Sequence, residues 1–168
     1  MASITLKGNA LQTCGNLPAV GSTAPDSILI KPDLTEAPIS SWPGKKLLNI
    51  FPSIDTPVCA ASVRTFHERA AQYDGVTVIN VSKDLPFAQK RFCASEGIEN
   101  AANASCFRSS FADDFGVRIT GGALTGLCAR AVVVVDEHNQ VLHCELVPEI
   151  SHEPNYEAAL SACKVAAR

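Results

Sequence analysis

The sequence has no run approaching the ~20 apolar residues of a membrane-spanning helix; its densest apolar stretch, Ala131 to Val135, is strand-sized. It also has no excess of positive charge. Fourteen Lys and Arg against 17 Asp and Glu give a net charge of −3, which argues against bulk electrostatic binding to nucleic acid or to a membrane. The first base is Lys7, so Met1 to Val20 lacks the basic and apolar regions of a secretory signal, and the expected compartment is the cytoplasm. Charged residues make up only 18% of the chain and hydrophobic residues 46%, a globular profile rather than a disordered one. Composition breaks, linkers and internal repeats are missing as well. The 168 residues are therefore expected to form one unit, residues 1–168, with 1–17 as an N-terminal hairpin extension.

Several chemical signatures are equally absent. There is no Cys-x-x-Cys, so neither a thioredoxin-type dithiol nor paired zinc knuckles is supported. His67-Glu68 is followed at position 71 by Ala, so the helical zinc-protease pattern fails. Gly44-Lys45-Lys46 lacks the glycine spacing of a phosphate-binding loop, Gly121-Gly122 with Gly126 reads as an ordinary loop, and no Gly-x-Ser-x-Gly elbow exists. His138, His143 and His152 are scattered and read as turn or surface residues. Asn80-Val81-Ser82 and Asn103-Ala104-Ser105 match the glycosylation pattern, which a cytoplasmic chain would not use.

What remains is an alternation of strands and helices. Ile4–Leu6 and Ala10–Cys14 read as a hairpin, with Gly8-Asn9 supplying the positive-φ residues. A short strand at Ser27–Ile30 and a buried strand at Leu47–Phe51 follow. Val63, Phe66, Ala70 and Tyr73 recur at three- and four-residue steps and predict a helix over Pro57–Tyr73. Val76–Ser82 is a further buried strand. Asp84 is the expected N-cap of a second helix, with Pro86 in its first turn and Gly97 as its stop. A short helix near Ser109–Phe115, a strand pair Ala131–Asp136 and Gln140–Val147, and a helix over Pro154–Ala166 complete the chain. This order predicts an α/β domain of thioredoxin-like fold, with a mixed central sheet flanked by helices.

The chain carries seven cysteines, an odd number that a reducing compartment would not turn into a static disulfide framework. Cys59 is distinguished by position. With Thr56 as N-cap and Pro57 at N1, Cys59 falls at N3, where first-turn amides and the positive helix end favour thiolate over thiol. A buried small hydrophobe at a helix start is the competing reading. Cys93 lies in the second helix just off an expected core stripe of Leu85, Ala88 and Phe92, at a border position that would leave its thiol partly accessible; packing is again the competing reading. Cys14, Cys106, Cys128, Cys144 and Cys163 lack the helix-start setting and read as structural.

The segment Pro52-Ser53-Ile54-Asp55-Thr56-Pro57-Val58-Cys59 resembles the Pro-x-x-x-Thr-x-x-Cys signature of the peroxiredoxins. Three further segments, Asp84-Leu85-Pro86-Phe87-Ala88-Gln89 through Cys93, Ala129-Arg130-Ala131-Val132-Val133-Val134 and Glu153-Pro154-Asn155-Tyr156-Glu157-Ala158-Ala159-Leu160, are similar in order to the atypical two-cysteine subfamily of bacterial thiol peroxidases. The resemblance covers essentially the whole chain. It implies that Cys59 is the peroxidatic cysteine and Cys93 the resolving one. It further implies that Thr56 touches thiolate and peroxide, that Arg130 steadies both, and that Pro52 shields the pocket. Position 80, a further cysteine in some relatives, is Asn here, so a third redox thiol is not expected there.

The implied activity is reduction of hydrogen peroxide and organic hydroperoxides through a cysteine sulfenic acid and an intrachain Cys59–Cys93 disulfide, with thioredoxin as reductant. No metal, haem or flavin is implied, and a homodimer is. A redox sensor that passes its oxidation to a partner protein, and a thioredoxin-fold binding module with inert cysteines, are the alternatives.

Overall fold

Strand β5 (Lys45–Ile50) is the axis of the molecule, and every one of its residues is buried. In the computed structural model, which describes residues 1–98 and 102–165, β5 pairs in parallel with β6 (Val76–Ser82) and antiparallel with β8 (Ala131–Val135). Helix α1 (Pro57–Ala70) crosses from β5 to β6, and α2 (Pro86–Glu96) crosses from β6 to the parallel strand β7 (Ala102–Ser105). Two successive right-handed crossovers that step in the same direction place both helices on one face of the sheet. The full order is β4-β3-β7-β6-β5-β8-β9, with β3 at Ile28–Ile30, β4 at Glu36–Pro38 and β9 at Val141–Leu146. A separate two-stranded sheet, β1 (Ser3–Leu6) with β2 (Asn9–Gln12), forms the N-terminal hairpin.

The sheet has a different apolar layer on each face, as the period-2 alternation of side chains requires. Leu47, Val132 and Val134 pack with Phe66 and Ala70 of α1 and with Ala159, Leu160 and Cys163 of the C-terminal helix α4 (Tyr156–Val165). Leu48, Ile50, Val81 and Val133 face the other way. They meet the hairpin through Ile4 and Leu11, and the short helix α3 (Phe111–Asp114) through Phe111 and Ala112. Phe66 is wholly buried, worth about 2–3 kcal/mol of apolar burial, so the α1–sheet interface is firmly held away from its N-terminal end.

Several expectations are corrected in detail. The hairpin turn takes its positive φ values at Lys7 (50°) and Gly8 (83°), not at Asn9, which already begins β2; a two-residue turn of this hand needs both central residues there. Leu85, not Asp84, is the N-cap of α2, because the Asp84 carboxylate is taken by other partners. Strands β4 and β7 are additions. Ala102-Asn103-Ala104-Ser105 is too short and too polar to read as a strand, and forms one because β6 and β3 flank it. Gly97 does stop α2, at φ 66°, and the Ile98 amide closes the end onto the Cys93 carbonyl at 3.0 Å. The expected end of the last helix, Ala166, lies outside the described residues.

Cys163 gives the fold a pH signature. Burial between α4 and the sheet pushes its thiol up to about 11 from the ordinary 9.0, with Lys45 partly opposing. A group raised in the native state stays protonated there while it ionises in the unfolded chain. Its contribution is complete below about pH 9 and is lost as the pH rises toward about 11. Thermal unfolding of the reduced protein is expected to show Tm falling across that window, and Cys163→Ala to flatten the fall; an unchanged slope in the variant would contradict it.

Candidate active site

Chain connectivity places the start of α1 at the C-terminal edge of β5, where open α/β sheets hold their ligands. Thr56 is the N-cap, with extended backbone at φ −96° and ψ 144°, and Pro57 occupies N1, where a missing N–H is no loss. The Ala60 amide closes the first turn onto the Thr56 carbonyl at 3.0 Å. Ahead of it the amides of Val58 and Cys59 belong to the turn that has no intrahelical acceptor. Cys59 is fully buried, among Phe51, Ile54 and Val63, with Phe92 and Ile98 packed against that cluster.

Arg130, immediately before β8, reaches this sulfur. Its Nη2 donates to Cys59 Sγ at 3.2 Å, and its Nε donates to the Ile150 carbonyl at 2.7 Å. Its Nη1 is buried and has no partner among the described residues. An arginine only 2% exposed, with one N–H group on sulfur and another uncommitted beside it, is not a solvated surface charge. The N-terminal hairpin supports the arrangement from behind. Thr5 exchanges backbone hydrogen bonds with Pro148 (2.7 Å) and Ile150 (2.8 Å), and the Gly8 amide donates to Glu149 Oε1 at 2.9 Å. Hydrogen bonds from Ser151 and the Gly8 amide hold the Glu149 carboxyl well below the usual carboxylate range. The hairpin thus fixes the carbonyl that aims Arg130.

The loop before α1 is tied down by a residue that sequence reasoning missed in this role. Asp84 accepts from Ser53 Oγ (2.8 Å), the Ile54 amide (2.7 Å) and Ser82 Oγ (2.6 Å), so one carboxylate bridges the ends of β5 and β6. An acid after a strand and before Leu-Pro reads as a helix cap, and only the three-dimensional return of the Ser53 loop shows otherwise. Pro52 is buried in the same loop. Thr56 is exposed and its Oγ1 donates to the Ser53 carbonyl at 2.9 Å, so no bond runs from it to Cys59.

Cys93 sits differently from the expectation. The buried stripe of α2 is Pro86, Gln89 and Cys93, whereas Leu85 and Phe87 are 49% and 65% exposed. The helix is rotated because Gln89 points inward to bond Ser82 Oγ (3.1 Å) and the Ala104 carbonyl (3.2 Å). Cys93 is therefore on the inner face, not at its border, and its Sγ accepts from Asn103 Nδ2 at 3.0 Å. Burial pushes its thiol up, and the Asn103 hydrogen bond opposes this. All seven cysteines are free thiols, and Cys106 and Cys128 touch at 3.6 Å between their sulfurs in the opposite layer.

A Redoxin family model matches residues 19–160. The thiol peroxidase of Mycobacterium tuberculosis is 61% identical over 163 residues, covering 96% of this chain and 98% of that protein. The chain belongs to the thiol peroxidases. The thiol peroxidase of Corynebacterium glutamicum agrees at 50% identity over 96% of this chain and 99% of its own. Among solved structures, a peroxiredoxin-like protein from Aquifex aeolicus superposes at a TM-score of 0.92, with 40% identity over 98% of this chain and 97% of that one. A thiol peroxidase from Chromobacterium violaceum, at 0.89 and 21% identity over 100% and 99%, shares the fold. The enzyme is a peroxidase of the peroxiredoxin type, acting on peroxides. No helix among the described residues is long and apolar enough to cross a membrane.

Proposed function

We propose that Cys59 is the peroxidatic nucleophile and Cys93 the resolving thiol of a thioredoxin-recycled peroxidase. The observation that carries this is the Arg130 Nη2–Cys59 Sγ contact of 3.2 Å in the first turn of α1, with Nη1 left over. A guanidinium N–H donated to sulfur becomes a charge-assisted hydrogen bond when the sulfur is a thiolate. The thiolate attacks the terminal oxygen of a hydroperoxide. An S–O bond forms, the O–O bond breaks, and the departing alkoxide or hydroxide takes a proton to leave as alcohol or water. Negative charge grows on that leaving oxygen, where the spare Arg130 N–H and the first-turn amides can meet it without reorganising. With its hydrogen on the Ser53 carbonyl, the Thr56 oxygen is poised to accept the peroxide O–H, and Pro52 closes the loop side.

Cys93 thiolate then attacks the sulfenic sulfur; the S–S bond forms and hydroxide departs. Cys59 and Cys93 each rest in a helix with a different donor on the sulfur, Arg130 and Asn103. Bonding requires Cβ atoms near ~4 Å, so the first turn of α1, the end of α2 or both unwind. A thioredoxin-like dithiol restores the thiols by exchange. The enzyme acts in the cytoplasm as a homodimer.

Stopped-flow turnover with thioredoxin and either hydrogen peroxide or an organic hydroperoxide tests the cycle. Wild type is expected to turn over steadily, while Cys93→Ser stalls as a trappable Cys59 sulfenic acid. Turnover of Cys93→Ser at the wild-type rate would overturn the resolving role, and a long-lived mixed disulfide with a partner would mark a sensor instead.

A further inference from the structure

Three asparagines stand in register across the middle of the sheet. Asn49 on β5 faces Asn80 on β6, which faces Asn103 on β7, and all three are at most 6% exposed. They are linked head to tail: Asn49 Nδ2 to Asn80 Oδ1 at 3.0 Å, then Asn80 Nδ2 to Asn103 Oδ1 at 3.2 Å. One end of this ladder is Cys93, whose Sγ takes the Asn103 Nδ2 hydrogen bond at 3.0 Å. The other end is Ser62 on α1, which accepts from Asn49 Nδ2 at 3.3 Å and donates to the Cys59 carbonyl at 2.8 Å.

The direction of the ladder is decided by Ser62. A hydroxyl has one hydrogen, and it is spent on the Cys59 carbonyl, so toward Asn49 the serine only accepts. Asn49 must then turn its amide nitrogen to Ser62 and to Asn80, which obliges Asn80 and Asn103 to run the same way. Any reversed amide would set donor against donor or acceptor against acceptor in a buried site, where an unsatisfied polar group is costly. The group presented to Cys93 is consequently an N–H and not a carbonyl. That choice has chemical meaning, because an N–H stabilises the thiolate and a carbonyl would stabilise the thiol.

We propose that Asn103, oriented by Asn80 and Asn49, is a positioning residue for resolution: it holds Cys93 in place and supplies the hydrogen bond that makes its sulfur a competent nucleophile. This rests on the reading of Cys93 as the resolving thiol. The reacting form is the thiolate, which attacks the Cys59 sulfenic acid so that S–S forms, S–O breaks and hydroxide leaves. A buried thiol has little water to stabilise its anion, and burial does push Cys93 up while Asn103 counteracts it.

The test is rapid-quench mass spectrometry of the reduced enzyme with hydrogen peroxide, separating Cys59 sulfenic acid formation from its conversion to disulfide. Asn103→Leu, close to asparagine in shape, and the smaller Asn103→Ser are expected to form sulfenic acid at the wild-type rate. Both should form disulfide about ten- to a hundredfold more slowly at neutral pH, the worth of a hydrogen bond to an ionised group. The deficit should shrink with rising pH, where Cys93 ionises unaided. Asn80→Leu, which touches neither sulfur, should act in the same sense and more weakly. Wild-type disulfide rates in the Asn103 variants, or equal slowing of both steps at every pH, would overturn the proposal. Cys93→Ser run in parallel separates the two readings: if it still forms an intrachain Cys59 disulfide, the resolving role itself is wrong; if it is blocked while the Asn103 variants resolve normally, only the positioning role is.

Discussion

Cys59→Ser is expected to remove peroxidase activity by about a thousandfold or more, the scale on which losing a nucleophile acts. A serine hydroxyl is not ionised at neutral pH, so the guanidinium 3.2 Å from position 59 has no anion to hold. The fold should survive. Cys59 is fully buried and the exchange changes little volume, so the cost is that of burying a hydroxyl, about 1–3 kcal/mol. A backbone already helical at N3 does not depend on the sulfur. Peroxide consumption with thioredoxin, measured beside thermal unfolding, checks both halves. Near-wild-type turnover would remove Cys59 from the chemistry.

The next largest effect is expected at Arg130. Arg130→Met keeps an unbranched stem as far as the Nε position but removes every donor. The Cys59 sulfur and the developing charge on the leaving oxygen then lose their cation, and peroxide reduction should fall by about a hundred- to a thousandfold, as when a preorganised donor is deleted. Loss of the Nε hydrogen bond leaves the Ile150 carbonyl without its partner, which should cost about 1–3 kcal/mol of stability. Arg130→Lys should fall between, because one ammonium cannot reproduce a planar fork that bonds a sulfur and a carbonyl together. Stopped-flow measurement of Cys59 oxidation with unfolding curves separates the effects. An unchanged oxidation rate alongside reduced stability would make Arg130 only a brace for the segment that follows β9.

Much of this was legible in the sequence because it is local. Thr56-Pro57 announces a helix start, and Cys59 follows at N3 whatever the rest of the chain does. The apolar run Ala131–Val135 is a buried strand, and an arginine immediately before it is conspicuous. What was hidden depends on partners far along the chain. Asp84 reads as a cap until the Ser53 loop returns to it, and Cys93 reads as a border residue until Gln89 turns α2 inward. Asn49 and Asn80 each interrupt an apolar strand at an inward position, a visible oddity in Lys45–Ile50 and Val76–Ser82. That oddity gains meaning only when strand register sets them side by side and adds Asn103 from a strand that propensity does not reveal.

With seven thiols in the chain, and Cys106 and Cys128 in sulfur–sulfur contact at 3.6 Å, the identity of the disulfide formed on oxidation tests the account most directly. Reduced enzyme treated with a single equivalent of hydrogen peroxide, digested without reductant and mapped by mass spectrometry is expected to yield one dominant cross-link, Cys59 to Cys93, with the other five thiols still alkylatable. A dominant Cys106–Cys128 link, or a Cys59 bond to another copy of the chain with Cys93 free, would contradict it.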